Sequence, residues 1–331
     1  MFKALIIGDV HYRAGNPRSR LDDYQEAITA KLLECFELAQ EHKVDVILQP
    51  GDLFDTPGVS WDTVKQLALL LKQAPCPFLT IPGTHDTWAH NLSTLYRTPF
   101  SFLSALEIIH DVTEERGQGV VTINDVIITG HGYNHETDTA AGTHQFMPGT
   151  WSEKSFSIHL VHAMLLDHVP VEGMKHTLIS QVDTTADVIV AGHIHYGLGN
   201  SYVYQRDDDV LFINPGALCR KEASLIDMER TVQVALLTVK DGQADAELIP
   251  LKSARPGHEV LSREHLEEAA ERENRINEFL RLLASEGEAK FLEVREIVED
   301  IAARENLPEA VKTEALRRIG EAREKLGVTN P

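Results

Sequence analysis

Short apolar runs alternate with helical patterns over the first 250 residues, and that alternation predicts an α/β layered fold. The strand-like runs are Phe2–Ile7, Val44–Gln49, Phe78–Ile81, Val126–Thr129, Ser157–His162, Val188–Ala191 and Val210–Ile213. Between the first two, Leu21, Tyr24, Ile28, Leu32, Cys35 and Leu38 recur at steps of three to four residues. This is the period of a helix with one apolar face, suited to cover a sheet. The segment from His131 to Lys154, rich in Gly, Thr and His, has no period and reads as a loop or lid.

After Pro250 the pattern changes. Ser253-Ala254-Arg255-Pro256-Gly257 reads as a linker, and the remainder is charged, helical and free of strand signals. Helices are predicted over Ser262–Ala284, Ala289–Arg304 and Pro308–Leu326, with Gly287 separating the first two and Pro308 suited to a first helical turn. In the last of these, Val311, Ala315, Ile319, Ala322 and Leu326 form an apolar stripe between charged positions. The expected organisation is therefore a large domain over residues 1–251 and a helical extension over 252–331.

Composition narrows the function classes. The 331 residues carry a formal charge of -20, with 17 Lys/Arg against 33 Asp/Glu in residues 1–251. Phosphate contacts to a nucleic acid need Lys and Arg to displace condensed counterions, so unaided tight binding of DNA is disfavoured. No stretch approaches the ~18 uninterrupted apolar residues of a membrane span, and the N-terminal MFKALIIGDVH meets Asp and His too soon for a signal peptide. A cytoplasmic location is the expectation. Cys35, Cys76 and Cys219 are odd in number and scattered, which argues for apolar fillers rather than disulfides or a thiolate zinc site.

Five short motifs sit at predicted strand ends: Gly8-Asp9-Val10-His11, Gly51-Asp52-Leu53-Phe54-Asp55, Gly83-Thr84-His85-Asp86, His162 in Leu160-Val161-His162-Ala163, and Gly192-His193-Ile194-His195. A lone Asp or His after a strand is more often a helix cap or a loop residue. Five on successive strands are hard to explain that way, because the carboxyl ends of strands in an open α/β sheet border the crevice where ligands bind. Imidazole and carboxylate donors without thiolates suit Mn²⁺, Fe and Zn²⁺, and the i, i+2 pairs Asp9/His11 and His193/His195 project to one side of an extended chain. Glycines before Asp9, Asp52, Thr84 and His193 permit sharp turns at the strand ends.

These motifs resemble those of the calcineurin-like metallophosphoesterase superfamily across residues 1 to about 250. GDVH, the run KVDVILQPGDLFD and the stretch from Asn214 to Arg220 are similar to the SbcD-type DNA repair nucleases. The resemblance implies a layered β-sandwich core flanked by helices. It gives Asp9, His11 and His195 to a first metal, Asp52 as a bridge, Thr84, His162 and His193 to a second, and His85 as the catalytic histidine. Relatives usually carry Asn where this chain has Thr84, whose hydroxyl reaches less far, and many carry His where it has Asp55, a position linked to transition-state contacts. Asp86 either orients His85 or stabilises its turn. No family motif claims His131, His135, His144 or His159, which read as solvated loop or core histidines; His90 has no assigned role.

The implied chemistry is phosphodiester hydrolysis with two divalent ions, Mn²⁺ ahead of Fe, Zn²⁺ or Mg²⁺. The favoured substrate is DNA, cleaved together with an SbcC-like coiled-coil ATPase docked through the helical tail. The acidic core favours the alternative, a small-molecule phosphodiesterase or phosphatase. A binding-only scaffold is disfavoured because the ligand set is nearly intact, and the tail stripe could also pack on the core or across a homodimer.

Overall fold

The computed structural model describes residues 1–114, 119–149, 155–170, 173–264, 275–276, 291–305 and 307–325. In chain order the main elements of the first part are β1 (Phe2–Ile6), α1 (Tyr24–Glu41), β2 (Val46–Gln49), α2 (Trp61–Leu71), β3 (Phe78–Thr80), α3 (Pro99–Ala105), β4 (His110–Asp111), β5 (Val121–Ile123) and β6 (Val126–His131). They continue with β7 (Phe156–Ala163), β8 (Leu165–Leu166), β9 (Thr177–Leu178), β10 (Val188–His193), β11 (Val203–Gln205), β12 (Leu211–Ile213), α4 (Leu225–Glu229), β13 (Gln233–Lys240), β14 (Gln243–Pro250) and α5 (Gly257–Val260).

Two six-stranded sheets form the core, ordered β14-β13-β1-β2-β3-β4 and β11-β12-β10-β7-β6-β5. In the first, β1 to β4 run parallel and β13 pairs antiparallel with β1. In the second, β6, β7, β10 and β12 run parallel and the edges β5 and β11 are antiparallel. Side chains alternate faces along each strand. Ala4, Ile6, Val46 and Leu48 therefore meet Ile158, Leu160, Val188 and Val190 between the sheets. Leu5 and Ile47 point the other way, onto Ile28 and Leu32 of α1 and Val64 and Leu67 of α2. The outer face of the second sheet carries Val161, Ile189 and Phe212, packed with Phe146 and Ile179.

The apolar period over 21–38 becomes α1, started by Asp23, whose side chain accepts the Glu26 N–H at 2.9 Å. Every predicted strand is present within two residues of its expected ends. The hairpin β13–β14 was not among the expected strands. Its turn, Asp241-Gly242, has φ of 52° and 79°, the left-handed pair that a two-residue hairpin uses. The loop expected from His131 contains a short helical turn at Ala140–Phe146, and residues 150–154 of it lie outside the described part.

The stretch read as a linker is fixed to the core. The Glu34 carboxylate accepts the N–H groups of Lys252 and Ser253 at 2.8 Å each, and Val260 and Leu261 are buried. Contacts divide the chain into Met1–Arg263 and Glu264–Pro331. In the second unit the helices Phe291–Arg304 and Glu309–Lys325 are seen; most of the predicted helix Ser262–Ala284 lies outside the described residues. On Glu309–Lys325, Val311 is exposed while Ala315 and Ile319 are half-buried; Leu326 is outside the described residues. Among the described residues no helix is long and apolar enough to cross a membrane.

Candidate metal centre

Parallel strands from both sheets bring the five motifs to one place. Asp9 follows β1, Asp52 follows β2, Thr84 to Asp86 follow β3, His162 lies in β7 and His193 ends β10. Contact between the two sheets' ends is direct, since His162 Nδ1 donates to the Pro50 carbonyl at 2.8 Å and the His193 N–H reaches Asp9 Oδ2 at 3.0 Å. Close approach here requires missing side chains. A Cβ on Gly83 would lie 2.3 Å from Asp52 Oδ1, and one on Gly51, at φ of 99°, would lie 2.5 Å from His162 Nδ1. His11, Asp52 and His193 themselves have φ of 49°, 55° and 85°. Left-handed backbone at a non-glycine residue costs of order 1–3 kcal/mol and tends to persist where a site needs it.

Asp52 is the point of convergence. Its Oδ2 lies 3.5 Å from His11 Nε2 and 3.3 Å from His162 Nε2, and its Oδ1 accepts the His85 N–H at 2.7 Å. The Thr84 hydroxyl donates to the same carboxylate, 3.1 Å from Oδ2. On one side, His11 Nε2 and His195 Nε2 face each other at 3.2 Å, and Asp9 Oδ2 lies 4.0 and 3.8 Å from them. On the other, donor atoms of Asp52, His162 and His193 lie within 4.8 Å of one another. Tyr133 stacks on the His193 ring with centroids 5.8 Å apart.

Burial and close packing shift the ionisation of the carboxylates and imidazoles in this cluster. Burial, with the Asp52 charge adding to it, pushes Asp9 up to about 7. Burial opposes ionisation of Asp52 as well, yet His162 and then His11 hold its carboxyl well below the usual range. His11 and His193 are lowered by burial to about 4 and about 3, so both rings are neutral near pH 7. The His162 Nδ1–H donates to the Pro50 carbonyl and its buried Nε2 faces Asp52 Oδ2 at 3.3 Å. Burial opposes protonation of this ring, yet the Asp52 charge raises it to about 9, so Nε2 offers a lone pair once a bound cation displaces its proton. A neutral imidazole nitrogen and a carboxylate oxygen about 3 Å apart are spaced as two ligands of one ion. The donor set therefore fits divalent cations.

Of the two parts open to Asp86, its contacts match the turn, and Asp55 contacts His11 rather than open space. The Asp86 carboxylate accepts the N–H groups of Phe54 and Gly83 at 2.9 Å and of Leu53 at 3.2 Å, tying two loops together. The His85 ring is oriented instead by the Asp55 carbonyl, 2.7 Å from Nδ1. The Asp55 carboxylate is held by Arg13 at 2.7 Å and Lys221 at 2.9 Å, and its Oδ1 lies 3.4 Å from His11 Nδ1. Burial opposes ionisation of Asp55, yet its contact with His11 and then the Lys221 charge hold the carboxyl well below its ordinary value.

Lys221, Arg13 and Tyr133 were not legible as site residues. Each arrives from outside the metal motifs, Lys221 directly after the Asn214–Arg220 stretch. Cys219 is a further unexpected neighbour, with His11 and His195 within 4.8 Å, its thiol pushed up to about 12 by burial. Of the unassigned histidines, His159 is a core residue, His135 is exposed, and His90 sits with Nδ1 3.1 Å from the Thr84 carbonyl.

Residues 2–197 match the calcineurin-like phosphoesterase family, more than half of the chain. The sequence is 28% identical over 59% of this chain to the DNA double-strand break repair protein Mre11 of Saccharolobus solfataricus, and 25% identical over 58% to that of Sulfurisphaera tokodaii. It spans about half the length of these curated relatives, 50% and 48%. Among solved structures, a dimetal phosphatase from Danio rerio aligns over 75% of this chain and 96% of that one, at 10% identity and a TM-score of 0.49. With the family match covering every motif up to His195, the chain belongs to the calcineurin-like phosphoesterases.

Proposed function

We propose that this protein is a nuclease that hydrolyses phosphodiester bonds of DNA with two divalent ions, Mn²⁺ first among them. The observation that carries the reading is the Asp52 carboxylate, turned at once toward His11 and His162. Asp9, His11 and His195 would hold one ion and Thr84, His162 and His193 the other, with Asp52 between them. When bound, the ions supply positive charge to the phosphate's non-bridging oxygens and make a water acidic enough to attack near neutral pH.

The chain's own groups do the rest. The His193 amide fixes Asp9, and the Nδ1 edge of His11 is faced by both the Lys221 ammonium at 3.1 Å and Asp55 Oδ1 at 3.4 Å, partners behind a ligating imidazole that set its orientation. His85 lies edge-on to His11, ring centroids 4.6 Å apart, with its Nδ1–H on the Asp55 carbonyl. Nε2 is thereby left facing the site, and in the doubly protonated ring its N–H would pass a proton to the departing alkoxide and leave the neutral ring with Nδ1–H still on the carbonyl, a general-acid role worth ~10²–10⁴-fold in rate.

The DNA reading draws on the similarity to two repair proteins. An SbcC-like ATPase docked on the C-terminal helices, a homodimer and a cytoplasmic setting belong to the same proposal. The acidic core, 17 Lys/Arg against 33 Asp/Glu, favours a second reading in which the substrate is a small phosphodiester or phosphomonoester. Hydrolysis of linear duplex DNA, single-stranded DNA and bis-p-nitrophenyl phosphate in Mn²⁺ separates the two. Nuclease activity that is absent from Asp52→Ala supports the first; turnover of the small diester with DNA left intact, with or without an added coiled-coil ATPase, supports the second.

A further inference from the structure

A cavity of about 270 Å³ outside the metal centre is lined by Arg20, Lys31 and Arg220. These side chains are more than nine-tenths buried, at 8%, 4% and 4% exposure. A buried cation is costly unless an anion faces it. Arg20 has such a partner in Asp22, at 2.5 Å. Lys31 donates to the Leu218 carbonyl at 2.9 Å, and Arg220 donates to the carbonyls of Arg255 and Arg230 at 2.5 Å each. Among the described residues no carboxylate lies within ion-pair distance of either Lys31 or Arg220.

The nearby Arg230 is already paired with Asp227 at 2.6 Å. The Nε–H groups of Arg20 and Arg220 are buried and have no hydrogen-bond partner among the described residues. Burial, reinforced by the neighbouring arginines, lowers Lys31 to about 7 and Arg220 to about 10. The acids on the lining do not relieve this. Asp22 is taken by Arg20, and Asp23 and Glu26 are exposed, with Asp23 capping α1.

We propose that this cavity is a second, non-catalytic site for a phosphate-class oxyanion, with Lys31 and Arg220 as its anchors. A tetrahedral anion supplies the missing counter-charge and accepts from donors that carbonyls leave free. The site is one peptide segment from the metal centre. The Leu218 and Cys219 N–H groups hold the Asp9 carbonyl at 2.9 and 3.2 Å, while Lys31 and Arg20 hold the carbonyls of Leu218 and Arg220. The proposal is independent of the metal reading.

Calorimetric titration of inorganic phosphate into the full-length protein, stripped of divalent ions with a chelator, tests it. One phosphate is expected to bind, with Lys31→Met and Arg220→Met each weakening it by about tenfold or more, and with Asp52→Ala leaving it unchanged. A mononucleotide titrated beside it identifies the source: tighter binding supports a nucleotide's phosphate, weaker binding supports free phosphate. No binding by the unmodified protein, equal binding by both cavity variants, or loss in Asp52→Ala overturns the proposal. Should a cavity variant fail to fold, a crystal of the unmodified protein soaked in tungstate decides. Density between Lys31 and Arg220 supports the site, and a soak that leaves the cavity empty overturns it.

Discussion

The Nδ1–H of His85 points at the backbone carbonyl of Asp55, 2.7 Å away, so the loop after β2 fixes the ring carried by the loop after β3. Replacing His85 by Ala removes a proton donor and no member of the proposed ligand set. Two divalent ions per chain should remain by metal analysis, while turnover falls by ~10²–10⁴-fold. Loss of metal together with activity would place His85 among the ligands.

Asp55 faces His11 with its side chain, and Lys221 and Arg13 hold that carboxylate in place. Groups behind a metal-binding imidazole typically contribute ~10–100-fold to metal affinity or activity. Lys221→Met should therefore raise the Mn²⁺ concentration for half-maximal rate within that range, and Lys221→Arg should recover part of it. A metal titration unchanged in Lys221→Met would leave the lysine with no part in positioning His11.

Thr84 donates its hydroxyl to Asp52, 3.1 Å from Oδ2, so its oxygen sits beside the carboxylate that the second ion would share. An amide carbonyl reaches further than a hydroxyl. Thr84→Asn should tighten the weaker of two Mn²⁺ sites in a binding isotherm. An isotherm identical to that of the unmodified protein would show that the hydroxyl already suffices.

His159 is buried and neutral: Thr129 Oγ1 lies 2.6 Å from Nδ1, and Nε2–H donates to the Gln145 carbonyl at 2.9 Å. Burial lowers it to about 4 from an ordinary 6.5. Between these values the unfolded chain binds a proton that the folded chain refuses, so stability falls as pH drops from 6.5 and levels off below 4. The loss attributable to this ring is at most about 3 kcal/mol. Chemical denaturation across that range should show the advantage of the unmodified protein over His159→Gln shrinking by this amount. Parallel stability curves would mean that the ring takes up its proton in the folded state.

The sequence carried the strands because Val, Ile and Leu runs bounded by Gly and Asp are local signals, and it carried α1 because its apolar residues keep one period. It did not carry β13–β14, although Asp241-Gly242 is a strong hairpin turn; Gln243 to Pro250, with exposed Asp245 and Glu247, lacks a continuous apolar run. The tie between Glu34 and Ser253 was invisible for another reason, since residues about 220 apart give no local sign of meeting. At the site, Asp9, His11, Asp52, Thr84, His85, His162, His193 and His195 announced themselves by their strand ends. Lys221 and Arg13 did not, because a lone cation has no motif, and the role of Asp86 depended on which backbone amides folding would place around it.

The central claim is that Asp52 holds two divalent ions at once. Metal content and diester hydrolysis measured together on Asp52→Ala, refolded or purified in Mn²⁺ alongside the unmodified chain, test it most directly. The account predicts two ions per chain in the unmodified protein, and in the variant loss of at least one ion together with loss of hydrolysis. A variant that keeps two ions at unchanged affinity, or hydrolyses the diester at the unmodified rate, would contradict it.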